Sequence, residues 1–489
     1  VNVEKKFLAS GKFKSVFLLF LIFFVVSCSE KKVREPVVAG KFYPDDEKTL
    51  YGFIDDIFKN SPVIYNERIF ALIVPHAGYQ YSGAIAGLAF AQIGFDFDNV
   101  IIIAGNHNGQ ARYNGVSLDN HTHFKIPGAE IPLDIKRIKF MLLDPFYKVV
   151  PGANEMHVIE VVLPFLKKLN ENTKKKFKII PEIIGSVNDD DIKKITNDIA
   201  GMYEQNTLLV ASMDFSHYFT YEKAVELDRS CIKAVLDMNE EEVKRCETDA
   251  NSVLLVLINF AKKFNLVPKL IAYRNSGDVY GEKENVVGYT GISFIRNFSV
   301  TEVEKKILLS LARKSIEHYL TTSEKYIPFV EKMTLERNNS NLLAPRGTFV
   351  TITKKGMLRG CIGSILPRQP IYQDVIDNAV AAATQDPRFK PLKKDELNDI
   401  KIEVSILDYP QQLLVKNSAE AVKLLNPGVD GVILYYKNNQ STFLPDVWKE
   451  LKSPEEFLRQ LCKKQGAPTD CWKEPESHIY TYKTISVSE

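Results

Sequence analysis

The sequence predicts an α/β module with a parallel or mixed central sheet flanked by helices, followed by a smaller α+β module with an antiparallel sheet. Three observations carry this. Between residues 37 and 297, short β-branched or leucine-rich runs alternate with stretches of helical period, as in strands buried on both faces by crossover helices. Around residues 297–303 the alternation stops at a polar link, which places the first module at 37–297, a linker at 298–304 and the second module at 305–489. Beyond the link, paired apolar runs flank short turn segments, the pattern of antiparallel hairpins.

The elements follow in order. Residues 1–28 read as a lipoprotein signal peptide: Lys5, Lys6, Lys12 and Lys14 precede an apolar run, Val16 to Val26, that is short for a membrane span. Val25-Val26-Ser27-Cys28 resembles a lipobox, in which the cysteine is acylated and becomes the mature N-terminus. An uncleaved membrane anchor is the alternative. Either reading exports the body and makes a membrane its partner, in the cell membrane or the outer membrane, through Cys28 or through the anchor itself. A charged tether, 29–36, comes next, and then strands at 69–74, 100–104 and 208–211, helices at 84–93 and 158–169, and a last strand at 288–294. In the second module a helix at 304–319 leads into strands 348–353 and 357–362 around Lys354-Lys355-Gly356. A helix at 373–384, a strand at 401–407, and strands 431–436 and 441–444 around Lys437-Asn438-Asn439-Gln440 complete it.

Lys plus Arg (63) nearly balance Asp plus Glu (61), so no general basic field invites nucleic acid, and nucleic acid is not expected as a partner. Removing Cys28 leaves five cysteines, so at least one thiol stays free in a compartment that permits disulfides. Cys462 and Cys471 are close enough in sequence to pair, but nothing in the sequence fixes their geometry.

Six of the eight histidines fall between residues 76 and 217. Three stand just beyond expected strands: His76 in Pro75-His76-Ala77-Gly78-Tyr79, His107 in Gly105-Asn106-His107, and His217 in Asp214-Phe215-Ser216-His217. Ligands of open parallel sheets bind outside the carboxyl ends of the strands, where these loops converge. Three imidazoles with the Asp214 carboxylate suit a transition metal, and the same set can act as general acid and base without one. A single histidine is more often a hydrogen-bonded structural residue; the constellation carries more weight than its members. Gly105 and its neighbours in these loops are expected to let an ion or substrate come near. His157 and Glu160 can line the site or form an exposed helix face, and His121 and His123 have at most a rim role.

These residues resemble the Memo-like family. Arg34-Glu35-Pro36-Val37-Val38-Ala39-Gly40 with Phe42-Tyr43-Pro44 looks like its opening signature, and Pro75 to Gly83 like its histidine loop. Met213 to Tyr218, Ser276-Gly277-Asp278 and Val287-Gly288-Tyr289 extend the similarity over residues 34–295. The resemblance implies a fold like that of class III extradiol dioxygenases, which use non-haem iron. It implies His76 and His107 as ligands of a transition metal, iron or copper ahead of zinc, with Asp214 and His217 beside them; the strand-end constellation counts His217 as a third ligand, and as an enzyme the chain would use Asp214 and His217 to move protons. The chain departs from the pattern twice. Where family members carry a Cys-Gly pair it reads Asp249-Ala250-Asn251-Ser252, and their Glu-His-Ser stretch appears as Met156-His157-Val158. Cys246 is nearby in sequence but not in the register of the missing thiol.

In the second module, Leu358-Arg359-Gly360-Cys361-Ile362-Gly363 ends a strand, with Arg359 expected to lower the Cys361 pKa and make the thiol nucleophilic or metal-binding. A small buried cysteine in a tight strand turn is the alternative. Gln385-Asp386-Pro387-Arg388-Phe389 and Phe443-Leu444-Pro445-Asp446-Val447-Trp448, with Glu403-Val404-Ser405 between them, complete a resemblance to the AMMECR-type domain over 305–487. It implies an α+β fold and singles out Arg359, Cys361, Asp386 and Arg388, the last two equally suited to a structural ion pair. The fusion resembles the AmmeMemoRadiSam grouping, so a radical S-adenosylmethionine protein is a partner by family analogy alone; this chain lacks the Cys-x-x-x-Cys-x-x-Cys spacing itself. The expected function is a metal-dependent oxidoreductase acting on a small molecule or modified protein group. A surface-tethered binding protein for an anionic or phosphorylated peptide or small ligand, or a metal-handling protein, is the alternative.

Overall fold

A computed structural model describes residues 31–61, 68–107, 111–171, 176–337, 340–413, 415, 418–437, 439–474 and 476–489. The expected signal segment with Cys28 lies outside the described residues. Among the described residues no helix is long and apolar enough to cross a membrane.

The first module is built on β1 (Ile69–Val74), β2 (Asn99–Gly105), β3 (Val116–Leu118), β4 (Tyr147–Lys148), β5 (Lys178–Ile184), β6 (Thr207–Ser212), β7 (His217–Phe219), β8 (Leu266–Asn275) and β9 (Val286–Arg296). They form one sheet in the order β7-β9-β1-β6-β2-β5-β3-β4, with β8 also paired to β9. The inner four, β1, β6, β2 and β5, are parallel, while β9 runs antiparallel to β1 and β3 antiparallel to β5. The sheet is therefore mixed. Every residue of β1 and β6 is buried, which is why these strands read as unbroken apolar runs with no alternation. Because the four inner strands share a direction, their carboxyl ends lie along one edge of the sheet.

Helices α1 (Glu47–Asn60), α2 (Ala84–Phe90), α3 (Leu163–Leu169), α4 (Asp189–Met202), α5 (Tyr221–Leu236) and α6 (Asn251–Lys263) pack around it. Asn188 starts α4 with a capping box closed by Asp191. Two helices are shorter than their periodicity suggests. The run expected at 84–93 is preceded by a π-turn, Tyr79–Gly83, and the run at 158–169 begins with a 3-10 turn, Glu160–Val162; Pro164 marks the true start of α3, where its missing N–H costs nothing.

The described part of the expected tether, residues 31–36, is not free. Val33–Arg34 pairs with His123–Phe124, and the buried Arg34 guanidinium reaches the Glu160 carboxylate at 2.7 Å. Glu160 also accepts hydrogen bonds from the Val37 and Val38 amides and from the Tyr43 hydroxyl. A fully buried carboxylate needs such partners, and here they clamp the opening signature onto the module. The linker at 298–304 is likewise structured: Thr301 and Glu304 form the capping box of α7 (Glu302–Thr322).

Among its described residues the second module contains two four-stranded antiparallel sheets where the sequence suggested one. The first is β11-β10-β12-β17 and the second β13-β16-β14-β15, from β10 (Thr348–Lys354), β11 (Met357–Gly363), β12 (Ile400–Leu407), β13 (Gln411–Gln412), β14 (Gly431–Tyr436), β15 (Asn439–Phe443), β16 (Ser477–Tyr482) and β17 (Thr484–Ser488). Lys355 and Gly356 both take positive φ, the geometry a two-residue hairpin turn requires between β10 and β11. Helices α7 and α8 (Ile371–Thr384) build one apolar core with the first sheet, and α9 (Pro454–Lys464) a second core with the other. Cys231 bonds to Cys246 and Cys462 to Cys471, leaving Cys361 as the free thiol among the described residues.

Asp408 links the modules, together with the Arg229–Glu420 ion pair and the hydrogen bond from the Leu270 amide to Gln411. The Asp408 carboxylate accepts from Lys269 Nζ of β8 at 2.7 Å and from Arg346 Nη1 at 2.9 Å, and the buried Arg346 guanidinium is stacked between Phe298 and Tyr409. Removing the carboxylate charge costs less than in a fully dry pair, because Asp408 keeps 38% of its side chain in contact with water. Asp408→Asn is expected to lower stability by roughly 1–2 kcal/mol and to shift thermal unfolding to lower temperature. Calorimetry showing one unshifted transition would refute this role for Asp408.

Candidate metal centre

His76 stands two residues beyond β1 and His107 two beyond β2, so the parallel strands deliver both rings to the same edge. The third group is Asp249, on the turn that enters α6. The ligand atoms of His76, His107 and Asp249 all lie within 4.8 Å of one another. The two Nε2 atoms approach to 3.1 Å, and Asp249 Oδ2 is 3.1 Å from His76 Nε2 and 2.8 Å from His107 Nε2. Gly105 permits the closure: a Cβ there would stand 2.6 Å from the Ala250 Cβ, so any larger residue would push the end of β2 away from the Asp249 turn. The glycine accommodates a neighbouring chain segment, where the sequence suggested an approaching ion or substrate.

The supporting contacts orient the ligands. Ser212 Oγ donates to the Val158 carbonyl at 2.5 Å, so its lone pair accepts from His76 Nδ1 at 3.2 Å. With Nδ1 held protonated by that bond, His76 turns an Nε2 lone pair toward the cluster on giving up its second proton. Asp214 Oδ1 accepts from the His76 amide, and the Asp214 amide donates to Asp249 Oδ2, both at 2.9 Å. Asp214 thus ties the first ligand to the third. The other carboxylate oxygen, Asp249 Oδ1, is buried with no hydrogen-bond partner among the described residues.

The field of the cluster is strong. Burial opposes charge on His76, but Asp214 and Asp249 outweigh it and raise the imidazole to about 9. Burial raises Asp249, yet hydrogen bonds from His107 and His76 overcome this and hold it well below the usual carboxylate range. Asp214 is raised, first by burial. His157 lies edge-on to His76, with ring centroids 5.2 Å apart, and 5.9 Å from His107. Burial first, then the two neighbouring histidines, lower it to about 3, so it stays neutral.

Several expectations are corrected here. His217 is not in the ligand cluster; it starts β7, pairs with Val287 and stands on the rim beside Tyr218. Where the family pattern carries a cysteine this chain has Asp249, and its carboxylate completes the cluster with His76 and His107. Cys246 is closed in a disulfide and contributes no thiolate. His157 packs on the ligand rings and is no exposed helix face, while Glu160 serves the Arg34 clamp. His121 pairs with Asp119 at 2.6 Å, and His123 lies in the small sheet at the edge of the module.

In the second module Arg359 turns away from Cys361 to pair with Glu396 at 2.9 Å. Burial pushes the Cys361 thiol up, against the expected depression. The flanking glycines serve packing: a Cβ on Gly360 would meet the Ala382 carbonyl of α8 at 2.1 Å. Asp386 accepts from the Cys361 amide at 2.8 Å and binds Arg388 at 2.7 Å.

A family model described as Memo-like protein matches residues 34–293, and one described as AMMECR1 matches residues 309–487. A MEMO1 family protein of Methanosarcina mazei is 30% identical over 276 residues, spanning 53% of this chain and 98% of that protein. A second, of Nitrosopumilus maritimus, is 30% identical over 279 residues and matched along 100% of its length. A Methanothermobacter thermautotrophicus protein is 38% identical over 191 residues, 37% of this chain and 91% of its own. Among solved structures, an uncharacterised protein of Pyrococcus horikoshii is similar at 32% identity, covering 39% of this chain and 94% of that one with a TM-score of 0.37.

Proposed function

Because this chain belongs to the Memo-like family and carries an AMMECR1 module behind it, we propose that it is a metal-dependent oxidoreductase whose centre is held by His76, His107 and Asp249. The observation that carries this reading is the convergence of two imidazole Nε2 atoms and one carboxylate, with a second carboxylate oxygen buried and unpartnered. Two histidines and one carboxylate are the ligand set of non-haem iron(II) oxygenases, and exchanging the family's soft thiolate for a hard oxygen favours iron over copper(I). Bound there, such a metal supplies redox chemistry and Lewis acidity at the positions the protein leaves open.

The chain's own residues do the rest. Ser212 fixes the His76 tautomer, and the Asp214 backbone and carboxylate hold His76 and Asp249 in register. His157, kept neutral by burial, offers a hydrogen-bonding ring with no added positive charge. His217 lies at the rim within the field of Asp214 and Asp228 and is the candidate to pass protons between the site and solvent. The anion-binding alternative is disfavoured, since Asp214 and Asp249 put two buried carboxyl groups where the anion would sit. Two disulfides support an exported body tethered through Cys28.

Elemental analysis of purified protein tests the proposal. Near one equivalent of iron is expected in the parent and less than about a tenth in a folded His76→Ala, His107→Ala variant, as loss of two ligands implies. Parent protein that takes up neither iron, copper nor zinc on reconstitution would sink the metalloenzyme reading.

A further inference from the structure

A cavity of about 920 Å³ opens where the two modules meet, a size within the range of small-molecule sites. Residues of α5 and β8 line one side, and the 3-10 turn Cys471–Lys473 with β13 and β16 the other. Each side carries a buried donor from which no described residue accepts. Trp472 is 5% exposed and its Nε1 has no hydrogen-bond partner among the described residues. Across the seam Arg229 Nη1 binds Glu420 at 2.9 Å, while the Arg229 Nε, also buried, has no such partner. The second tryptophan of the chain shows what a buried indole ordinarily does: Trp448 Nε1 donates to the Asp430 carbonyl at 2.7 Å. Trp472 is held in place before any ligand arrives, since Cys471 is bonded to Cys462 and its carbonyl accepts from Ser477 Oγ at 2.5 Å. Two buried donors left empty in one cavity mark where a ligand's acceptors belong.

The rest of the lining gives the ligand its character. Tyr221, Tyr273 and Trp472 supply aromatic surface. Glu222, Asp278 and Glu474 outnumber the cations Arg229 and Lys473, and Arg229 is already answered by Glu420, so an anion would enter against the field. Burial first, then Arg274, lowers the His478 pKa, so this ring adds no charge at neutral pH. The acids suit N–H donors instead. We propose that the seam binds an uncharged planar heterocycle bearing ring carbonyls and N–H groups, its carbonyl oxygens accepting from Trp472 Nε1 and Arg229 Nε. Such a ligand ties the two modules together. The site is separate from the histidine centre, so either can fail without the other.

Uracil, 5,6-dihydrouracil and orotate test it on the full chain, since they share two ring carbonyls and differ in planarity and charge. The chain has two tryptophans, so Trp448→Phe identifies the Trp472 indole signal in a proton–nitrogen correlation spectrum. Uracil is expected to shift that signal saturably, with dihydrouracil and orotate each at least about fivefold weaker through lost stacking or an unmatched charge. Arg229→Lys keeps a cation opposite Glu420 but removes Nε, and Trp472→Phe keeps a ring but removes Nε1. By calorimetric titration each is expected to weaken uracil about fivefold, the loss of one hydrogen bond. A Trp472 signal that uracil leaves in place overturns the proposal. So does orotate binding as tightly as uracil, or parent-like uracil affinity in both variants.

Discussion

Asp249→Asn is expected to weaken iron(II) binding at least about 100-fold, a loss of roughly 2.7 kcal/mol, while the fold is retained. Asparagine keeps the shape of the side chain but removes the charge that stands 3.1 Å from His76 Nε2 and 2.8 Å from His107 Nε2. It also puts a neutral amide where Asp249 Oδ2 accepts the Asp214 N–H, loosening the tie between ligands. Asp249→Cys tests the converse. Restoring a thiolate at this position should shift preference toward copper(I), because soft sulfur favours that ion over iron(II). Anaerobic chelator competition with iron(II), copper(I) and zinc(II) on the parent and both variants reads the effect. Parent-like iron affinity in Asp249→Asn would remove Asp249 from the centre.

Glu182→Gln is expected to stabilise the protein by roughly 4 kcal/mol above pH 8, with little effect below pH 4.5. Glu182 lies on β5, fully buried, and neither carboxyl oxygen has a hydrogen-bond partner among the described residues. Burial first, then the charge of Asp198, raises it from 4.5 to about 8. The folded chain therefore keeps a proton that the unfolded chain gives up near 4.5. Between these values the unfolded state binds fewer protons, so this group makes stability fall as pH rises, and the loss is complete once pH passes the folded value. Glutamine cannot ionise and escapes it. Urea unfolding of both proteins at pH 5 and pH 8.5 should show the gap opening with pH. Parallel curves would mean that Glu182 ionises in the fold at little cost.

By itself the sequence determined the elements whose signal is local. The apolar runs of β1, β2 and β6 marked where strands end, and with them the positions of His76 and His107, because burial of a parallel strand on both faces is written into consecutive residues. The Lys355-Gly356 turn was legible for the same reason, since a tight hairpin demands particular backbone angles from adjacent residues. The tertiary structure alone decided which distant groups complete each site. Asp249 meets His107 across 142 positions of sequence, where Gly105 packs on Ala250, and His217 lies outside that cluster. Arg359, near Cys361 in the motif, is drawn off by Glu396, while Arg388 reaches the Cys361 carbonyl from another element. Glu160, which the sequence allowed either to line the site or to sit on an exposed helix face, is buried and takes its partners from the opening segment. Periodicity reports which face of an element is buried; the identity of the group across that face is set by long-range closure, as with Asp249 opposite His107.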